Sequence, residues 1–158
     1  MKNKLAVFVG GLVAGIAITM ITVLMVLPDK MFIVNESKMG FEETLKAIEE
    51  SAANNGWSIP HQYNLQATMQ KNGFQVNPAK VFSLCNPGHA YQILKGEDER
   101  TVSALMPCRV AVYEKNGRTF VSMLNAGLFS KFLGKEVNAV MNTATKENLM
   151  ILEPVIKD

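Results

Sequence analysis

Ala79-Lys80-Val81-Phe82-Ser83-Leu84-Cys85 is a compact apolar run that stops at Asn86-Pro87, and its reading decides the fold. Such a run, bounded by turn residues, reads as a buried strand. Asn86-Pro87 then supplies the cap and first-position proline of a helix running to about Lys95. Downstream, Gly96-Glu97-Asp98-Glu99-Arg100 reads as an exposed loop. Cys108 to Glu114 alternates as a strand, and Lys115-Asn116-Gly117-Arg118 is a strong hairpin turn into Thr119–Leu124. Helical stretches follow over Ala126–Leu133 and from Lys135 to about Asn148, parted by Gly134.

Upstream, Met31 to Ser37 reads as a strand. Phe41, Leu45, Ile48 and Ala52 recur at helical spacing, with Glu42, Glu43, Glu49 and Glu50 on a solvated face, and Asn55-Gly56 ends that helix. Trp57–Leu65 reads as a second strand and Leu65–Lys71 as a short helix. Strands and helices alternating with one hairpin predict an α+β fold, a two-layer sandwich of a small mixed sheet with helices on one face.

The chain divides into residues 1–30, a membrane anchor, and 31–158, an extracytoplasmic domain. Leu5 to Leu27 carries no charge over 23 residues. As a helix it spans ~34 Å, enough to cross a hydrocarbon core of ~30 Å. Only Thr19 and Thr22 are polar, and helical threonines bond back to their own backbone. A cleaved secretory signal has a shorter apolar run and ends in small residues, unlike Val26-Leu27-Pro28-Asp29. Lys2 and Lys4 on one flank, against Lys30 offset by Asp29 on the other, put the N-terminus in the cytoplasm and the domain in the periplasm or outside the cell. Gly11 to Gly15 forms a GxxxG, a close-approach motif that is also common simply because membrane helices are rich in glycine.

Removing Lys2, Lys4, Lys30 and Asp29 from the 16 basic and 14 acidic residues leaves 13 of each in the domain. A neutral domain without a basic cluster gives little purchase on phosphate, which excludes nucleic acid as the expected partner. No GxSxG, HExxH, Walker A loop, dinucleotide fingerprint or CxxC pair is present, so an enzyme is the less expected reading.

Chemistry concentrates in Leu84-Cys85-Asn86-Pro87-Gly88-His89 and Met106-Pro107-Cys108-Arg109, which hold both cysteines and one of the two histidines. Cys85 precedes a helix N-terminus, whose field favours thiolate. His89, in the first helical turn, is disfavoured as imidazolium there, and neutral imidazole is the metal-binding form. Cys85, His89 and Cys108 are the candidate metal ligands, and Cys85 and Cys108 the candidate cofactor-binding pair. The alternative is that both cysteines are ordinary core residues.

An intramolecular disulfide suits an oxidising compartment. Strand, helix and strand in sequence, however, predict parallel strands with the two cysteines at opposite edges of the sheet. Adding His61 as a fourth metal ligand matches no known finger spacing. The domain's seven methionines (Met31, Met39, Met69, Met106, Met123, Met141 and Met150) are scattered as core filler is, which argues against copper held by methionines. Arg109 reads as holding an anion or, more simply, a surface acid.

Val81-Phe82-Ser83-Leu84-Cys85-Asn86-Pro87, with Met106-Pro107-Cys108-Arg109-Val110-Ala111-Val112-Tyr113-Glu114 and Asn116-Gly117, resembles the domain of unknown function family numbered 302. The likeness runs from about Met31 to Pro154 and is nearest to its cysteine-containing subgroup. It implies a compact α+β fold and a homodimer, and supplies no reaction. Many members lack these cysteines, which implies that the thiols serve a role other than folding. The expected function is a membrane-anchored binding domain holding a metal ion, haem or sulfur species. The alternatives are a structural dimeric module docking onto an envelope protein partner and a thiol oxidoreductase.

Overall fold

The structure, a computed structural model, describes residues 2–157. The chain divides into two units, Met1–Phe32 and Ile33–Asp158. Helix α1 (Lys2–Met31) accounts for the first, and continues through Pro28. Its segment Phe8–Met31 is long and apolar enough to cross a membrane, with mean hydropathy 2.4. The Thr19 and Thr22 hydroxyls donate to the carbonyls of Gly15 and Ile18, four residues back, each at 2.9 Å. Neither therefore leaves an unsatisfied hydroxyl on the apolar helix.

The second unit carries β1 (Phe32–Glu36), α2 (Phe41–Asn54), β2 (Ser58–Asn64), α3 (Leu65–Lys71), β3 (Ala79–Cys85) and α4 (Pro87–Leu94). A 3₁₀ turn over Glu99–Leu105 leads to β4 (Cys108–Lys115) and β5 (Arg118–Leu124), then α5 (Ala126–Phe129) and α6 (Lys135–Leu152). The five strands form one sheet in the order β1-β5-β4-β3-β2. Asn116 and Gly117 both take positive φ, 52° and 70°, so the β4–β5 turn has the left-handed central pair that matches strand twist.

The α+β class stands, but the sheet is antiparallel rather than mixed. β3 pairs antiparallel with both β2 and β4, and β4 with β5. The expected parallel β3–β4 arrangement fails because α4 and the 3₁₀ turn pack on each other and on α6 through Ile93 and Val102, so the chain does not cross back over the sheet before β4 begins. The stretch 99–105, read from sequence as following an exposed loop, instead anchors buried Val102 and turns the chain round at the same end.

One face of the sheet is covered. Phe82, Leu84, Val110, Val112, Val121 and Met123 alternate onto it and pack with Leu45, Ile48 and Ala52 of α2 and Ala144, Ile151 and Leu152 of α6. Burying each large aliphatic or aromatic side chain contributes about 1.5–3 kcal/mol. Helix α6 is longer than its sequence pattern suggested, because Ile151 and Leu152 continue the same apolar stripe. A smaller cluster of Ile93, Val102, Val137 and Met141 joins α4, the 3₁₀ turn and α6 at the end of the sheet where β3 stops and β4 starts.

Candidate functional site

The antiparallel register brings the two cysteines together. Leu84 lies opposite Cys108, so Cys85 is one residue further along the neighbouring strand. A rise of ~3.3 Å and a strand spacing of ~5 Å put the cysteine α-carbons about 6 Å apart. The sequence argument that holds the two cysteines at opposite edges of the sheet is therefore overturned, although strand alternation puts Cys85 one step out of phase with Cys108. Both residues are half-buried free thiols.

They line a cavity of about 50 Å³ on the seam between the two hydrophobic clusters. Trp57 and Leu84 belong to the main cluster, whereas Ile93 and Met141 belong to the smaller one, and Met106 packs against it. The lining is overwhelmingly apolar apart from Asn86, His89 and sulfur. Pockets for drug-sized ligands begin at roughly 300 Å³, so a cavity of this size takes an ion or a molecule of a few atoms, not haem.

Local structure sets each polar group. Asn86 caps α4 as its sequence predicts, its Oδ1 accepting from the Gly88 N–H at 2.9 Å and the His89 N–H at 3.4 Å. Cys85 therefore ends a strand beside a capped helix N-terminus. His89 turns toward α6, where its Nε2 lies 2.8 Å from Glu147 Oε2. The Trp57 Nε1–H donates to the same oxygen at 2.9 Å. Burial pulls the Glu147 carboxyl upward, but the hydrogen bonds from His89 and Trp57 outweigh it and hold the group below its ordinary range. An ionised Glu147 can only accept, which assigns the proton to His89 Nε2.

Burial pushes the Cys108 thiol up, and negative charge on nearby Cys85 pushes it the same way, while the Asn148 side chain pulls partly back. Asn148 is 1% exposed, and neither of its amide atoms has a hydrogen-bond partner at ordinary distance.

Cys85, His89 and Cys108 all line this cavity. Among the described residues, no three His, Cys, Asp or Glu side chains form a metal-holding group. His89 Nε2 is engaged by Glu147. His61 lies away from the cavity, on β2 beside Tyr63, with ring centroids 6.4 Å apart. Arg109 meets no acid within ion-pair distance among the described residues, and sits 5.6 Å over the Tyr63 ring. Glu42, Glu49 and Glu50 pair on the surface with Lys80, Gln62 and Lys46, as a solvated helix face does.

Sequence reading missed Trp57, Glu147 and Asn148 as parts of this site, and treated Met106 and Met141 as filler. One signal was available. Val137, Met141, Ala144, Asn148 and Ile151 form the buried stripe of α6, and Asn148, with Thr145 beside it, interrupts its apolar run.

The family model described as domain of unknown function DUF302 matches residues 33–153. The fold is similar to the crystal structure of an uncharacterized conserved protein DUF302 from Bacillus stearothermophilus, with a TM-score of 0.71 and 22% identity over 78% of this chain and 96% of that one. At that identity the likeness speaks for the fold. Among curated proteins nothing matches.

Proposed function

This chain belongs to the DUF302 family, a domain of unknown function, and from that premise we propose that it is a membrane-anchored extracytoplasmic domain that binds a small thiophilic species between Cys85 and Cys108. The observation carrying the reading is that the only two cysteines, distant in sequence, meet on the wall of one small apolar cavity. The length and hydropathy of Phe8–Met31 support the anchor, and Lys2 and Lys4 support a cytoplasmic N-terminus. Burial keeps Cys108 protonated until a ligand takes its sulfur, which suits capture better than nucleophilic turnover.

The test uses the full chain in detergent with phenylarsine oxide, which bridges two neighbouring thiols. One equivalent is expected to protect both cysteines from a monofunctional thiol reagent. Cys85→Ser and Cys108→Ser should each abolish that protection. Two thiols that react independently, or that the arsenical leaves unprotected in the native chain, overturn the reading. Carbonate extraction and a C-terminal reporter active only outside the cytoplasm test the anchor and its orientation.

A second reading is a structural homodimer docking on an envelope protein. It is favoured by the sheet face that α2 and α6 leave uncovered, where Tyr113 stacks on Phe120 and Tyr63 is exposed. Light scattering of the detergent-solubilised chain checks it, and a strictly monomeric chain would refute it.

A further inference from the structure

We propose that the species held at this site is a monovalent soft metal cation, copper(I), bound by the two cysteine thiolates with methionine thioethers beside them. The proposal rests on the dithiol reading above and narrows it to one ligand class.

The donor set carries the argument. Cys85, Cys108, Met106 and Met141 all line the same cavity, which therefore offers two thiols and two thioethers in apolar surroundings. Thiolate and thioether are soft donors and select copper(I), whereas zinc asks for a tetrahedral set of cysteine, histidine or carboxylate ligands. No such set of three exists among the described residues. Copper(I) is satisfied by two thiolates in a line, so the missing third ligand excludes zinc and leaves copper(I) in place. The cavity of about 50 Å³ admits an ion or a molecule of a few atoms, and the donors, not the volume, choose between them.

The charge balance explains a second feature. Binding releases one proton from each thiol and leaves a copper bis-thiolate with a net charge of minus one. Buried negative charge needs donors aimed at it. Two features bear on that need. Cys85 lies just before the N-terminus of α4, with its partial positive charge. Asn148 of α6 is 1% exposed, and neither of its amide atoms has a hydrogen-bond partner at ordinary distance. A buried amide without partners is destabilising in the empty protein. The proposal assigns it to the loaded state, as a donor supporting a cysteine thiolate and not as a ligand.

The experiment titrates the reduced full chain in detergent with copper(I) under anaerobic conditions, against a chromophoric copper(I) chelator. One copper(I) per chain is expected, with ultraviolet thiolate-to-copper charge-transfer absorption and no competing uptake of zinc(II). Cys85→Ser or Cys108→Ser should abolish the absorption band. Asn148→Leu should weaken binding about 10–100-fold, as loss of outer-shell support does, while the far-ultraviolet circular dichroism is unchanged. The double change Met106→Leu and Met141→Leu should weaken binding while leaving the arsenical test intact.

Copper(I) uptake that survives loss of either cysteine, or zinc bound as tightly as copper, overturns the proposal. Arsenical protection without copper(I) binding also overturns it and leaves the dithiol reading standing. Failure of both probes sinks both.

Discussion

The two hydrophobic clusters of the domain are built differently, and the cavity lies where they meet. The main cluster joins long, regular elements. Strands with strict alternation press Phe82, Leu84, Val110, Val112 and Val121 against the stripes of α2 and α6, and none of these five is exposed. Its partner cluster joins α4, a 3₁₀ turn and one end of α6 through Ile93, Val102, Val137 and Met141. Regular elements interdigitate and leave few voids. Short irregular ones do not, and the seam keeps a space that both cysteines line. Rigidity on one side and a gap on the other is what a binding site requires.

The largest effect that would test this contrast is in the main cluster. Phe82→Ala should lower unfolding free energy by about 3–5 kcal/mol, since the fully enclosed site cannot collapse around the lost ring. Urea denaturation of the full chain in detergent measures it. Ile93→Ala, in the looser cluster, should fall near the low end of the ~2–5 kcal/mol range for such truncations, because its surroundings can relax. Equal losses at the two sites would erase the contrast.

Asn148→Leu works in the opposite direction. Removing an unsatisfied buried amide in favour of an apolar side chain of similar shape should stabilise the empty protein by about 1–3 kcal/mol. A thermal melt showing destabilisation instead would mean that the amide is satisfied and the seam is polar by need.

The smallest effect concerns the rim. The Glu147 carboxyl is held below its ordinary value of 4.5, so its contribution is present above that value and lost as pH falls through the lowered one. Glu147→Gln should therefore be less stable than the parent at neutral pH, and the two should converge in acid. A difference that persists unchanged in acid would show that the His89 and Trp57 hydrogen bonds do not depend on the carboxylate charge.

Much of the fold was legible from local signals. The Asn86 cap, the left-handed Asn116-Gly117 pair and the alternation of Cys108–Glu114 each report on a few neighbouring residues, and each appears where read. The candidate site was half legible. Cys85 and Cys108 stand out in the sequence, but the crossover rule separates them, and only the antiparallel pairing of β3 with β4 brings their backbones together. Glu147 and Asn148 went unnoticed because the residues they serve, His89 and Cys108, are far from them in sequence.

By itself, then, the sequence determined the apolar N-terminal helix, the α+β class, the hairpin and the presence of two thiols and a helix cap. Those depend on periodicity, chain length and turn chemistry, which act over a few residues. Tertiary structure alone decided the antiparallel order of β3 and β4, the pairing of His89 with Glu147, and the seam that gathers two cysteines and two methionines around one cavity. The physical reason is that strand direction and side-chain convergence are set by how the chain returns on itself, and no local pattern encodes that path.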